Sequence, residues 1–122
     1  MELHRAGKEY LKTILVLAQR NGSVRSMDIC KALRVTKPNV NKAMKHLREG
    51  GYLMMDPDKR IILTKTGRET AEQAIRAHRS LTSCLIAMGV DPMVAERDAR
   101  EMGHVISPET FEKIRLFVER KP

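Results

Sequence analysis

Aromatic residues are scarce in this sequence: Phe, Trp and Tyr together make up 3% of the 122 residues, and tryptophan is absent. Sandwiches and barrels of β-strands depend on aromatic and β-branched pairs between neighbouring strands, so these folds are disfavoured. Hydrophobic residues nevertheless make up 42% of the chain, which is enough for a core of Leu, Ile, Val, Ala and Met. The composition therefore favours a mainly α protein.

Cysteines, catalytic motifs and long apolar runs are also lacking. The two cysteines, Cys30 and Cys84, lie far apart and outside any Cys-x-x-Cys spacing, which argues against a disulfide framework or a zinc ribbon. There is no HExxH, GxSxG or P-loop pattern, so we do not expect an enzyme. No apolar run approaches the roughly 20 residues that span a bilayer, and the N-terminus does not resemble a signal peptide. We expect a cytoplasmic protein with no membrane partner.

The net charge of +8 is concentrated in the N-terminal half. Residues 1–66 contain 14 Lys and Arg against 6 Asp and Glu, whereas residues 67–122 contain 9 of each. A strongly basic half beside a neutral half indicates a domain that binds a polyanion, next to a domain with another task. We place the two predicted domains at 1–66 and 67–122.

Hydrophobic periodicity in the first domain predicts three helices and a β-hairpin. Ser26 is the predicted N-cap of the second helix and Thr36 that of the third, which Gly50-Gly51 ends. Pro38 lies in the first turn of the third helix, where its missing N–H does no harm. In this domain we predict one helix at about 6–19, a short second helix that begins at 26 and a third helix at about 36–49. The two predicted strands are 52–55 and 60–63.

The sequence of the second domain predicts helices only. Thr66 and Glu69 have the spacing of a capping box and should open a long helix that ends near Gly89. Asp91 and Ser107, each followed by proline, should begin two further helices. The whole chain is thus predicted to be a winged helix-turn-helix DNA-binding domain followed by an all-helical dimerisation domain.

The third helix has two different faces. Val40, Met44 and Leu47 repeat at helical spacing and should face the core, while Asn and Lys residues occupy the other side. Asparagine can pair with both N6 and N7 of adenine in the major groove, so Asn39 and Asn41 are the predicted base readers. The lysines there should contact guanine or, more often, phosphate. Lys59 and Arg60 of the hairpin turn should contact the DNA backbone or minor groove, and the start of the second helix should contact another phosphate. The predicted DNA contacts are Ser26, Thr36, Lys37, Asn39, Asn41, Lys42, Lys45, Lys59 and Arg60.

The run SVRSMDICKALRVTKPNVNKAMKHLREGGYLMMDPDKRIILTKTGRETA resembles the DNA-binding domain of the DtxR/MntR metalloregulators. KEYLKTILVL resembles the first helix of that family, AIRAHRSLTSCLIAMGVD its linker helix and REMGHVISPETFEKI its dimerisation segment. The resemblance covers nearly the whole chain, without the extra C-terminal domain of the longer members. It implies a homodimeric regulator, in most cases a repressor, that binds a palindromic operator in double-stranded DNA.

The resemblance also implies a Mn²⁺ or Fe²⁺ switch, with candidate ligands at Glu9, His78 and His104. Three positions depart from the family pattern: Lys12 replaces a carboxylate, Arg100 replaces a Cys or Glu ligand, and Gly103 replaces a Glu. Hard divalent ions require oxygen-rich, anionic sites. We therefore expect no cofactor, with Mn²⁺ or Fe²⁺ as the less favoured alternative.

Two further interpretations of the metal positions stay open. Arg100, with Lys12, could replace the metal by bonding to a carboxylate such as Glu9. Alternatively, a rearranged metal site could use nearby acidic residues or Cys84. A protein-interaction scaffold built on a winged helix is the alternative from another functional class.

Overall fold

The computed structural model describes residues 5–120. Within this range the chain forms six α-helices and a two-stranded antiparallel sheet. It divides into two compact units, residues 1–73 and 74–122, which we call the N-terminal and C-terminal units. The elements are α1 (Arg5–Asn21), α2 (Ser26–Leu33), α3 (Lys37–Glu49), β1 (Leu53–Met55), β2 (Ile61–Leu63), α4 (Lys65–Ala87), α5 (Pro92–Val105) and α6 (Pro108–Glu119).

The core of the N-terminal unit is closed by the periodic apolar residues of its helices and by the first residue of each strand. The predicted inward stripe of α3 is confirmed, because Val40, Met44 and Leu47 are all at most 3% exposed. These side chains face α1 and α2 residues that are equally buried, so the opposite side of α3 is left to solvent. The other buried side chains of this unit are Leu11, Ile14, Leu15, Val24, Ile29, Leu53, Ile61 and Ala71.

The two helix starts of the helix-turn-helix are capped in different ways. At α3 the prediction is confirmed: the hydroxyl of Thr36 accepts a hydrogen bond from the N–H of Asn39 at 3.4 Å, and Pro38 lies in the first turn. At α2 the prediction of Ser26 as N-cap is wrong. Arg25 is the N-cap and Ser26 the first helical residue, because the carboxylate of Asp28 accepts the N–H of Arg25 at 2.8 Å.

The hairpin β1–β2 with its turn, residues 53–63, forms the wing. Leu53 pairs with Leu63 and Met55 with Ile61, so the apolar face of the hairpin lies on the core. In the turn, Lys59 has a left-handed backbone with φ +64, and Asp56 accepts the N–H of Arg60 at 2.8 Å. Such local bonds to aspartate stabilise tight turns.

The start of α4 also differs from the prediction. The helix begins at Lys65, so Thr66 lies inside it and does not form the predicted capping box. The hydroxyl of Thr64 instead accepts the N–H of Gly67 at 3.1 Å and donates to the carbonyl of Gly51 at 2.7 Å. Position 67 requires glycine, because a Cβ there would lie 1.8 Å from the carbonyl oxygen of Tyr52.

The C-terminal unit has a small core. Leu81 and Cys84 of α4 and Ala95 and Ala99 of α5 are buried, whereas α6 has no fully buried residue. The predicted caps Asp91 and Ser107 are confirmed, since each accepts a hydrogen bond from the first turn of its helix. Several large apolar side chains of this unit are exposed: Ile86, Met88, Met93, Val105 and Phe117.

Charged side chains on α6 form a local network. Arg115 bonds to Glu112 and Glu119, and these bonds lower the pKa of Glu112 and raise that of Arg115. Burial raises the pKa of the Cys84 thiol, and the nearby Glu119 carboxylate adds to the rise. Cys84 is therefore a buried free thiol whose loss of a proton is disfavoured. None of the helices in the described part of the chain is both long and apolar enough to cross a membrane.

Candidate nucleic-acid interface and candidate metal ligands

The outward face of α3 is basic and polar. The five predicted contact residues on α3 and Arg48 on the same face are all exposed, because the buried stripe lies on the other side of the helix. This face therefore offers amide and ammonium groups on a single rigid helix, which is the arrangement that fits the major groove. The six residues are Lys37, Asn39, Asn41, Lys42, Lys45 and Arg48.

One border of this face adjoins the wing. The Arg48 guanidinium lies 3.9 Å from the sulfur of Met55 on β1. Because Asn41 and Arg48 are seven residues apart, they occupy the same side of the helix. Asn41 is thus the asparagine on the wing side of α3.

The other border adjoins α1. A groove of about 610 Å³ runs between the two helices, lined by Gly7 and Tyr10 of α1 and by Asn39, Lys42 and His46 of α3. His46 is not among the predicted contacts. Its spacing of four from Lys42 and seven from Asn39 nevertheless places it on the same side of α3 as these two residues. The two predicted base readers therefore lie on opposite borders of the α3 face.

The remaining predicted DNA contacts occupy three more places in the N-terminal unit. Thr36 is exposed at the N-cap of α3, where its hydroxyl accepts the N–H of Asn39. Lys59 and Arg60 are exposed at the wing turn, where Arg60 lies 4.0 Å from Asp58. Ser26 is half-buried in the first turn of α2, close to the Asp28 carboxylate. That carboxylate already neutralises part of the positive end of α2, which makes this the weakest phosphate position among the predicted contacts.

In the N-terminal unit, the candidate ligand Glu9 is paired with a cation. The ammonium of Lys12 lies 3.3 Å from its carboxylate, one helical turn along α1. The side chains are 15% exposed for Lys12 and 29% for Glu9, so solvent screens this pair only in part.

In the C-terminal unit, His78 of α4 lies against the backbone of α5. Its Nε2 is 3.1 Å from the carbonyl oxygen of Glu96. A carbonyl oxygen can only accept, so this nitrogen carries the proton, and Nδ1 is the ring atom left to bind a metal. The guanidinium of Arg100 lies 3.3 Å from the side chain of the same glutamate.

His104 and Gly103 complete the predicted metal positions. His104 is half-buried on α5, in line with Glu96 and Arg100 because the three are spaced by four residues. A Cβ at Gly103 would lie 3.8 Å from Leu81, so this position faces the packed side of α4. Among residues 5–120, no group of three or more His, Cys, Asp or Glu side chains is arranged to hold a metal ion. The predicted bond between Arg100 and Glu9 stays a prediction.

Two family models together match nearly the whole chain. Residues 2–61 match the N-terminal DNA-binding domain of iron-dependent repressors, and residues 64–121 match their metal-binding and dimerisation domain. The transcriptional regulator MntR of Escherichia coli O6:H1 is 33% identical over 112 residues, which covers 92% of this chain and 72% of that protein. This chain belongs to the DtxR/MntR family. The family consists of transcriptional regulators, which confirms that the protein is not an enzyme.

Solved structures share the fold. The hypothetical protein SSo2273 from Sulfolobus solfataricus superposes with a TM-score of 0.79 at 23% identity, covering 98% of this chain and 92% of its own. The manganese regulator SloR superposes with a TM-score of 0.80 at 23% identity; 99% of this chain is covered, but only 56% of the SloR chain. The predicted fold class, a winged-helix DNA-binding domain with a helical dimerisation domain, is confirmed.

Proposed function

We propose that this family member is a homodimeric, sequence-specific repressor whose DNA binding does not depend on Mn²⁺ or Fe²⁺. The observation that carries the DNA-binding part is the exposed Asn and Lys face of α3, held outward by a buried apolar stripe. The family models describe a DNA-binding domain and a metal-binding and dimerisation domain, which supports the DNA-binding and homodimer parts of the proposal but not metal independence.

Each residue group has a defined role in this proposal. Asn39 and Asn41 read adenine edges from the two borders of α3, and Lys42 and Lys45 contact guanine or phosphate between them. Lys37, near the Thr36 cap, and the wing residues Lys59 and Arg60 fix the protein on the DNA backbone. Phosphate contacts dominate affinity and make it fall steeply with salt.

The exposed apolar side chains of the C-terminal unit support the homodimer. Phe117 is 62% exposed and Met88 is 62% exposed, and both line a cavity of about 430 Å³ beside α6. A second copy would cover these side chains through a two-fold interface. Two recognition helices related by such an axis would read a palindromic operator in successive major-groove turns.

Metal independence is proposed from the chemistry of the residues at the family's metal positions. Two of these positions, 12 and 100, carry cations, and each cation is paired with a carboxylate: Lys12 with Glu9 and Arg100 with Glu96. A rearranged site would have to compete with Arg97 for Asp98, 3.9 Å away, or use Cys84, whose thiol pKa is raised by burial. Activation by Mn²⁺ or Fe²⁺ is the alternative that the experiment must exclude.

A gel shift on the DNA upstream of the protein's own gene tests the proposal. We expect salt-dependent binding that a chelator does not weaken and that Mn²⁺ does not strengthen. Lys42→Glu should weaken binding by more than about tenfold, because it reverses a charge facing the phosphates. Arg97→Glu, the same change at an exposed position of α5, is the matched control and should bind like the unaltered protein.

Two outcomes would contradict the proposal in different ways. Binding that appears only with Mn²⁺ or Fe²⁺ would favour the metal-responsive alternative. No duplex binding under any condition, with the fold intact by circular dichroism, would favour a winged helix used as a protein-interaction scaffold.

A further inference from the structure

Two cations at the family's metal positions have local carboxylate partners. Within the N-terminal unit, Lys12 lies 3.3 Å from Glu9 in a half-buried pair. Within the C-terminal unit, Arg100 lies 3.3 Å from Glu96, with about half of each side chain exposed. The resemblance places a carboxylate at position 12 and a Cys or Glu ligand at position 100, so each unit holds a positive charge where the family has a ligand.

The donor set that remains does not fit a hard divalent ion. Mn²⁺ and Fe²⁺ favour carboxylate oxygen and neutral imidazole nitrogen. The carboxylate of Glu9 already holds Lys12, whereas the bond from Nε2–H of His78 to the Glu96 carbonyl leaves Nδ1 available, so the deficit lies in anionic oxygen. Within the N-terminal unit a metal at Glu9 would have to displace Lys12, and within the C-terminal unit a metal would meet the positive charge of Arg100.

We infer that Lys12 and Arg100 are the residues that exclude Mn²⁺ and Fe²⁺ from this chain. Each acts as a resident cation, a built-in positive charge that holds a carboxylate of its own unit. The inference rests on the proposed function only in assigning the metal positions by family. It makes Lys12 the stronger determinant, because its half-buried pair is less screened by solvent than the pair of Arg100.

Isothermal titration of the full chain with MnCl₂, in the absence of DNA, tests the inference. The unaltered protein should give no binding heat beyond dilution. Lys12→Glu and Arg100→Glu, made singly and together, should increase Mn²⁺ affinity, and the double variant should gain at least about tenfold. Thermal unfolding with and without MnCl₂ gives a second readout, since a ligand that binds the folded state raises Tm.

The matched control is Lys31→Glu with Arg120→Glu. Both positions are exposed, and the pair changes the net charge as much as the Lys12 and Arg100 substitutions do. It should gain no affinity, which separates local charge from a general acidic surface.

Three results would overturn the inference. The first is stoichiometric Mn²⁺ binding by the unaltered chain that is lost in His78→Ala or His104→Ala. The second is an equal gain in the control pair. The third is a correctly folded double variant with no gain in affinity. None of these depends on DNA, so failure here is distinct from failure of the gel shift.

Discussion

The two units of this chain bury their apolar side chains to different extents. Among the described residues, eight of the nine largest fully buried side chains lie in the N-terminal unit, including Leu11 of α1, Ile29 of α2 and Leu47 of α3. In the C-terminal unit, α6 contributes no buried residue, and Phe117 remains mostly exposed. The first unit thus has the larger core of its own, and the contrast agrees with the proposal that the second unit packs against a like copy.

The two units also differ in net charge. Residues 1–73 carry 15 Lys and Arg against 8 Asp and Glu, an excess of seven positive charges, whereas residues 74–122 carry 8 against 7 and are nearly neutral. A basic unit suits DNA, because its Lys and Arg side chains neutralise phosphates and release counterions. Its packed core keeps the contact residues in place. A neutral unit with exposed apolar groups suits association with a like copy, because no net charge opposes contact.

The largest predicted effect is in the core of the N-terminal unit. Leu47→Ala removes a side chain that is 2% exposed and should lower the free energy of unfolding by about 2–5 kcal/mol, through lost burial and a residual cavity. Chemical denaturation monitored by circular dichroism measures it. A loss that depended on protein concentration would contradict the view that this unit has a core of its own.

A smaller effect is predicted at the exposed face of α6. Phe117→Glu should weaken the homodimer by roughly 30-fold or more, because it places a carboxylate in an apolar contact. Sedimentation over a range of concentrations measures the change. Ile62→Glu is the control, since Ile62 is an exposed apolar residue (45%) of the wing and should leave the dimer intact. Equal dissociation in both variants would show that the two units do not differ as described.

The smallest predicted effect concerns pH. The bond from Arg115 lowers the pKa of Glu112, so its stabilising contribution is present above the unfolded pKa of about 4.3 and is lost as pH falls through the folded value. Glu112→Gln should therefore lower Tm slightly at pH 7 and not at all at strongly acidic pH. A difference that persisted in acid would exclude the ion pair as its cause. Glu109→Gln, also exposed on α6, is the control.

Features that depend on local spacing could be predicted from the sequence. Thr36, Pro38 and the apolar repeat from Val40 to Leu47 specify α3 without help from the rest of the chain. Asp91 and Ser107 likewise mark their helix starts, each with proline at the next position. In all these cases one side chain and its nearest neighbours decide the structure.

The two wrong predictions, for the starts of α2 and α4, arose where two possible capping residues lie within three positions of each other. Ser26 and Asp28 compete at α2, and Asp28 prevails by reaching back to the N–H of Arg25. Thr64 and Thr66 compete at α4, and the contact of Thr64 with distant Gly51 decides the outcome.

In the candidate site too, features set by local spacing could be predicted, whereas contacts between separate helices could not. The exposed face of α3 could be predicted because the core stripe defines it, but the groove that His46 shares with Tyr10 required the position of α1. The pairing of Arg100 with Glu96 follows from a spacing of four. The bond from His78 to the backbone of α5 could not be predicted, because it joins two helices.

The hydroxyl of Thr64 has a consequence for how the backbone contacts of the wing could diversify. By bonding to Gly51 on one side and Gly67 on the other, it ties the two ends of the wing together at its base. The turn at residues 56–60 is thus an exposed tip on an anchored stem. Such a tip can lengthen, shorten or change sequence without disturbing the stem, so the wing is an exchangeable module that could be grafted between regulators while α3 stays unchanged.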